Sequence, residues 1–372
     1  MSRRSVIARS YTPMRPVRSA CVAGLSTPIV ASLFVLASVA TWVAGIGLSS
    51  TTDELDHRFG LGDALGGMIL LAIAGSLPEI AITVSAASQG NLGLAAGNLI
   101  GGIAIQTLVL VVCDAAASGE RPLTFLVGSL VPVVEGLAVV FVVGEVLLGA
   151  LLPASYAIGP ASPASIAIVA TWLFLLWVLN HVQRNPRWEV VMPGAEPGRP
   201  DRSVREPQHP KRHAHRPTPV LAGLFAVACI VTLIGGVVLE RGGGVLADRA
   251  GINGVIFGAT VLALATALPE ISSGTAAVRV GDHQLATGDI FGGNAFQVCL
   301  FLVADLVAGR PVLPTAGILN SWLGGLGIVL TVIYVIGVVV RPNRCLLRLG
   351  IDSILVVIVF ALGVIGLTAL PT

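Results

Sequence analysis

The sequence predicts an all-α polytopic membrane protein whose ten transmembrane helices form two five-helix repeats of inverted topology. Three observations carry that prediction: a composition too apolar for a water-facing surface, an internal duplication, and ten apolar runs that fall five to each copy. The 372 residues are 55% hydrophobic and only 11% charged, with a mean hydropathy of +0.89. Soluble domains carry about 25% charged residues. A soluble enzyme, a secreted disulfide scaffold and a nucleic-acid-binding module are therefore excluded. Most of the 44 Gly, and Pro28, Pro78, Pro132, Pro163, Pro219 and Pro269 among the 22 Pro, sit inside apolar runs, where membrane helices tolerate them.

A helix needs about 20 apolar residues to cross a bilayer. In the first half such runs lie near 28–48, 62–87, 92–113, 123–143 and 163–181; in the second, near 219–239, 253–278, 285–304, 315–340 and 351–370. The organisation that follows is a basic N-terminal arm (1–27), a first repeat (28–182), a polar Pro-rich linker (183–218) and a second repeat (219–370). Five spans per repeat is odd, so the second copy enters the membrane from the opposite side. The arginines before the first span and the small residues at Ser38-Val39-Ala40 resemble a secretory signal. The span's length and its register match to 219–239 argue that it is retained as a helix.

The duplication fixes this register. AGSLPEIAITVSAASQGNLGLAAGNLIGGIAIQ begins at Ala74, and ATALPEISSGTAAVRVGDHQLATGDIFGGNAFQ begins at Ala265, so the offset is 265 − 74 = 191. Without a gap, residues 27–114 and 218–305 share 31 identities in 88 positions. Apolar composition inflates such a count but does not align LPEI, GG and Gln in one frame, and self-similarity of this kind marks a repeat architecture.

The net charge of +2 is unevenly spread. Residues 1–20 hold five Arg and no acid, and residues 183–218 hold eight Lys/Arg, four Asp/Glu and three His. Fourteen of the 22 Lys/Arg fall on the linker's side of the predicted membrane. The positive-inside rule thus favours a cytoplasmic linker in the cell membrane, although the basic arm opposes it, as a translocated tail or an extension ahead of a start at Met14. His209, His213 and His215 read as part of a solvated basic linker. Cys21, Cys113, Cys229, Cys299 and Cys345 show no metal-site spacing and read as small packing residues.

Few ionisable residues lie deep in the spans. Glu79 and Glu270 each sit more than a dozen residues into an apolar run, at the same place in each repeat. An ionised carboxylate at the bilayer centre costs at least ~2.5–3.5 kcal/mol, so each must meet a cation, a proton or a partner side chain. Inverted repeats bring equivalent positions together near the midplane, which predicts one central cation between the two. Pro78 and Pro269 precede them, and a proline frees the carbonyl four residues back, here that of Ala74 and of Ala265. Freed backbone survives in lipid only where it lines a cavity. Carbonyls, carboxylates and hydroxyls together form the all-oxygen environment that hard cations prefer.

Downstream, GNLIGGIAIQ (97–106) pairs with GDIFGGNAFQ (288–297). Their Gly-x-x-x-Gly spacing permits close helix approach. Gln106 and Gln297 are candidate neutral ligands, orienting groups or interhelical hydrogen-bonding residues. Asn98 and Asp289 stand at equivalent positions, where Asp289 either adds a negative charge to the pathway or caps its helix. Glu135 and Glu145 have no acidic counterpart in the second half and read as pore-edge or proton-relay groups. Asp114 and Asp305 match across the repeats and read as helix-end groups in short polar loops.

These segments resemble the α-repeats of the cation/Ca²⁺ exchanger superfamily, which includes Na⁺/Ca²⁺ and H⁺/Ca²⁺ antiporters. The family pattern, approximately G-T-S-L-P-E followed by G-N-x-x-G-S-N-x-F-N, is met by GSLPE (75–79) and TALPE (266–270) and by the paired segments above. The resemblance implies a secondary antiporter moving a divalent cation, foremost Ca²⁺, against Na⁺ or H⁺. It implies inorganic cations and the lipid bilayer as partners, no cofactor, and alternating access by sliding of the first and sixth helices. Each repeat keeps one of the family's two hydroxyls, Ser76 and Thr266, and has Gln where the family has Asn or Asp. That thins the implied Na⁺ ligands and keeps H⁺ coupling open. The alternative is a monovalent Na⁺(K⁺)/H⁺ antiporter on the same scaffold. An intramembrane hydrolase or prenyltransferase would need a nucleophile–base pair, a His-rich metal set or clustered Asp motifs, and no span supplies one.

Overall fold

In hydrocarbon a backbone can satisfy its polar groups only within helices or closed barrels, and the chain uses helices. The computed structural model describes residue 22 and residues 24–59, 73–117, 121–184, 217–346 and 348–370. Most of the arm, most of the linker with its three histidines, and the start of the second predicted span lie outside the described residues. In chain order the helices are α1 (Thr27–Phe59), α2 (Leu77–Gln89), α3 (Leu92–Ala116), α4 (Leu123–Leu126), α5 (Val131–Ala150), α6 (Pro163–Arg184) and α7 (Thr218–Ala250). They continue as α8 (Gly254–Thr266), α9 (Leu268–Arg279), α10 (His283–Gln297), α11 (Leu300–Ala308), α12 (Gly317–Val340) and α13 (Ile351–Thr368). A two-residue antiparallel ladder, β1 (Cys345–Leu346) with β2 (Leu349–Gly350), leads into α13.

The repeat offset is visible in the helix bounds. Helices α1 and α7 are both 33 residues long, and their starts differ by 218 − 27 = 191. Helices α2 and α9 start at Leu77 and Leu268, again 191 apart, and each is followed by a left-handed glycine, Gly90 or Gly281. Among the described residues, seven helical stretches are long and apolar enough to cross a membrane, or eight if the bent pair α8–α9 counts as one span. The other two predicted runs are the shorter apolar helix Ile351–Leu367 and the run containing α2, described only from residue 73 onward.

Two boundaries differ from the sequence expectation. The fourth span, expected at 123–143, is α5 at Val131–Ala150: α4 stops at Leu126, and Pro132 at the start of α5 favours a new helix. The first and sixth helices, expected to end at 48 and 239, continue to Phe59 and Ala250. At 1.5 Å per residue each is about 50 Å long, well beyond the ~30 Å hydrocarbon core. Packing overrides the weak helix propensity of Gly242-Gly243-Gly244: Gly243 lies against the rings of Phe34 and Phe257, where a larger side chain would press.

The two ends of the bundle are distinguished by their contacts. At the linker end, Arg58 Nη1 donates to Thr218 Oγ1 at 3.2 Å. At the opposite end, Arg249 donates to Thr27 Oγ1 at 3.0 Å and to the Leu25 carbonyl at 2.7 Å. The two matched aspartates secure one end each. Asp114, 2% exposed, accepts from the Leu123 amide at 2.6 Å, the Gly350 amide at 2.7 Å and the Ser353 hydroxyl at 2.6 Å. Asp305, 0% exposed, accepts from the Val312 amide at 2.6 Å and the Ser162 amide at 2.8 Å. They do sit at helix ends, but as buried staples and not in polar loops. Each ties its own outgoing loop to the segment entering the last helix of the other repeat, and Ser162 and Ser353 are themselves 191 apart.

Truncating such an aspartate strands buried amides, each worth about 1–3 kcal/mol. Asp114→Ala and Asp305→Ala should therefore each lower the thermal unfolding midpoint in detergent by several degrees, with Asp305→Asn milder than Asp305→Ala. Unchanged midpoints would show that the staples do not hold the bundle ends.

Candidate cation site

Each glutamate lies where a helix is interrupted and restarts. Residues 73–75 are helical, Ser76 breaks the turn with φ −95° and ψ 19°, and α2 then begins with Leu77, Pro78 and Glu79 in its first turn. In the second repeat, α8 and α9 meet at Ala267 (φ −80°, ψ −1°) with their axes bent by 46°, and Pro269 and Glu270 again occupy the first turn. Proline is accommodated there because the first helical amides need no intrahelical acceptor. Both carboxylates thereby sit at the positive end of a helix dipole.

The long helices seat directly on these breaks. A Cβ at Gly45 of α1 would fall 2.6 Å from the Pro269 ring, and one at Gly236 of α7 would fall 2.6 Å from Ala81 Cβ and 2.9 Å from the Pro78 carbonyl. Gly45 and Gly236 are again 191 apart. A contact this close needs glycine, and it couples the position of α1 and α7 to the two sites.

The pair is brought together. Glu270 lies within electrostatic reach of Glu79 and of Asp289, and the Thr266 side chain faces Glu79. Glu79 is 1% exposed, and neither of its carboxylate oxygens has a hydrogen-bond partner. Glu270 Oε2 is likewise buried and unpartnered. So are the Thr83 hydroxyl one turn beyond Glu79, both amide atoms of Asn98 and of Asn294, and Gln297 Oε1. Leaving a polar group buried and unpaired costs about 1–3 kcal/mol, more when it is charged. So many orphaned acceptors around two carboxylates fit a cation, which would satisfy them together.

Glu270 also lines a cavity of about 510 Å³ that passes Ala74, Ser76, Gln106, Glu135 and Asp289 and reaches Gln183 and Asp282 at the linker end. None of its lining residues among those described lies at the opposite end. Four of them are carboxylates: Glu135, Glu270, Asp282 and Asp289. Glu79 stands behind this cavity, not on its wall.

The remaining candidates divide by position. Gln106 lines the cavity. Gln297 does not; its amide donates to the carbonyls of Asn98 (3.2 Å) and Leu99 (2.9 Å) across two helices, leaving Oε1 as its only free polar atom. Asp289 accepts from Ser273 Oγ at 2.9 Å and is not the helix cap, since Asp282 caps α10 by accepting from the Leu285 amide at 2.9 Å. Ala265 packs in an apolar cluster with Phe34, Ile82 and Leu239, away from the cavity. Glu135 is a wall residue, and Glu145 accepts from Thr171 Oγ1 at 2.8 Å between α5 and α6. Of the Gly-x-x-x-Gly pair, Gly97 and Gly101 press onto Val255 and Ala259 of α8, whereas Gly288 and Gly292 line the cavity.

Sequence reading missed two groups. Thr83 carries no signal beyond its i+4 spacing from Glu79. Glu240 lies one residue beyond the apolar run that ends at 239 and carries no repeat match; it is fully buried within α7.

Comparison with known proteins agrees with this architecture. The Inner membrane protein YrbG of Escherichia coli (strain K12) is 28% identical over 266 residues, covering 71% of this chain and 73% of that protein. Two solved structures share the fold: an H⁺/Ca²⁺ exchanger CAX (TM-score 0.64, 15% identity, 92% of this chain and 82% of that chain) and the sodium-calcium exchanger NCX_Mj (TM-score 0.57, 15% identity, 91% and 99%). Residues 29–181 and 220–370, one stretch in each half, match the family described as sodium/calcium exchanger protein, and the chain belongs to that family of membrane exchangers.

Proposed function

We propose that this protein is a secondary-active antiporter that exchanges a divalent cation, Ca²⁺, for Na⁺ or H⁺ across the cell membrane by alternating access, with no cofactor and no catalytic group. The observation that carries the reading is the pair Glu79 and Glu270: carboxylates from equivalent places in the two repeats, within electrostatic reach of each other, with both oxygens of Glu79 and Oε2 of Glu270 buried and without a hydrogen-bond partner. Two carboxylates balance the charge of one divalent ion. When that ion departs, two bare negative charges in a low-dielectric site repel one another, and at an effective dielectric constant of ~20 a pair 4 Å apart costs about 4 kcal/mol. Protons or Na⁺ must then take the vacated places, which makes the process exchange and not leak.

In this reading Ser76, Thr83, Thr266, Gln106, Gln297, Asn98 and the carbonyls of Ala74 and Ala265 complete the oxygen shell, while Asp289 draws cations along the cavity wall. Two proteins of like fold are named as an H⁺/Ca²⁺ exchanger and a sodium-calcium exchanger, so either counter-ion is compatible with the scaffold. The Lys/Arg bias toward the linker side orients the cavity mouth to the cytoplasm.

Purified protein in vesicles should accumulate radiolabelled Ca²⁺ when an outward Na⁺ or H⁺ gradient is imposed, and the gradient that drives uptake identifies the counter-ion. Absence of Ca²⁺ uptake under both gradients, with Na⁺/H⁺ exchange present, would replace this reading with monovalent antiport. Glu79→Gln and Glu270→Gln should each cut Ca²⁺ flux by ~100-fold or more, the scale expected when one member of a buried charge pair is removed, while the protein stays inserted and monodisperse. Near-normal flux in either variant refutes a shared site. Gln106→Ala should change the preference among Ca²⁺, Mn²⁺ and Mg²⁺ more than it changes the unfolding midpoint; unaltered selectivity would reduce Gln106 to a packing residue.

A further inference from the structure

Glu240 is a buried carboxylate with no part in the cation site. It lies on α7 and is 0% exposed. Both its oxygens act as acceptors: Oε2 from Ser85 Oγ at 2.8 Å and Gln89 Nε2 at 2.7 Å, Oε1 from Asn91 Nδ2 at 3.2 Å. Ser85 and Gln89 belong to α2, and Asn91 caps the start of α3. Gln89 also donates to Ser85 Oγ at 3.1 Å, so these two partners are linked to each other as well as to the carboxylate. The carboxylate thus clamps the long helix α7 to the core that carries Glu79.

The clamp sits within an apolar plug at the end of the bundle away from the linker. Phe34 of α1 meets Phe257 of α8 edge-to-face with ring centroids 6.1 Å apart. Leu239, Ala247, Ile82 and Leu94 close around them. The cavity from Glu270 runs the other way, toward Gln183 and Asp282. The repeat offset makes the asymmetry explicit: the counterpart of Glu240 in α1 is Ser49, and those of Ser85, Gln89 and Asn91 are Ala276, Val280 and Asp282. By sequence, only one of these two equivalent positions, that of Glu240, offers a carboxylate for such a clamp.

We propose that Glu240 is the positioning residue of the gate opposite the linker: its hydrogen bonds to Ser85, Gln89 and Asn91 hold α7 against α2 and α3 and bias the protein toward the state open at the linker end. The inference rests on the alternating-access reading, in which α7 must shift to open the other end. For that shift the carboxylate has to exchange its three protein donors for water, so the barrier to opening is built mainly into this end. A hydrogen bond to a charged group is about twice as strong as one between neutral groups, which makes three of them on one carboxylate an effective and reversible fastening.

The test is site-directed labelling of the full chain in vesicles, with the native cysteines replaced by alanine. Two reporters are introduced singly, Ala247→Cys in the plug and Gln183→Cys at the cavity mouth, and each is reacted with a membrane-impermeant maleimide from its own side. Adding Glu240→Gln should raise labelling at position 247 by roughly tenfold or more, the change expected for losing hydrogen bonds to a carboxylate, and lower labelling at position 183. Gln89→Ala should act in the same direction, and it decides the matter if Glu240→Gln does not fold. Unchanged labelling at both reporters overturns the proposal. So does a rise at both together, which marks local loosening in place of a shift between states. Labelling does not depend on flux: a reciprocal shift in protein that moves no Ca²⁺ would sink the exchanger reading and leave the clamp, whereas normal flux with unmoved labelling would sink the clamp alone.

Discussion

Two acidic side chains from equivalent places in the repeats, within electrostatic reach of each other and short of hydrogen-bond partners, are the constraint around which this fold is organised. A carboxylate buried in this way is tolerated only if something positive meets it, because desolvation alone is worth several kcal/mol per ion. Among the described residues no basic side chain forms an ion pair with Glu79 or Glu270; the Arg58–Glu54 pair at 2.9 Å involves neither. The scaffold supplies only partial compensation, through the positive ends of α2 and α9. A site that is stabilised but incompletely neutralised is suited to a mobile cation, since full neutralisation by protein would leave nothing for an ion to gain.

The rest of the architecture follows from keeping that site open to rearrangement. The prolines at 78 and 269 start new helices beside the glutamates, and in the second repeat the two helical pieces meet there at a 46° bend. Gly45 and Gly236 let α1 and α7 lie on those bends with no side chain between. A glycine contact is smooth as well as close, and interlocking side chains at the same place would resist the sliding that the proposed alternating access requires. The aspartate staples lie instead at the outer ends, where they fasten loops and last helices without crossing the path of α1 or α7.

Much of this was legible in the sequence because a duplication doubles every signal. LPE recurring 191 residues later, inside apolar runs, marks both glutamates, and no single copy would have separated a site from an incidental buried acid. Helix limits were less legible. Hydropathy ended α7 at 239, because Glu240-Arg241-Gly242-Gly243-Gly244 reads as a loop, yet the helix continues where Phe34 and Phe257 pack over the glycines. The same error hid Glu240: a carboxylate looks peripheral until the donors that bury it, 149 to 155 residues away, are brought beside it. The break between α4 and α5 was similarly invisible to a hydropathy window, which averages over the residues where backbone geometry changes.

The places where the repeats disagree are as informative as those where they match. Perfect two-fold equivalence would make the states open at either end equal in energy apart from the surrounding membrane. This chain departs from equivalence at several buried or cavity-lining positions: Glu240 against Ser49, Thr83 against Gly274, Glu135 against Leu326. Each difference acts on one end or one half only. Glu240, held by three neutral side-chain donors, falls at the end away from the linker, and the acids on the cavity wall fall toward the linker end. In the proposed exchange cycle an inverted repeat would give the two states their similar geometry, and the unmatched residues would set how far apart they lie in free energy.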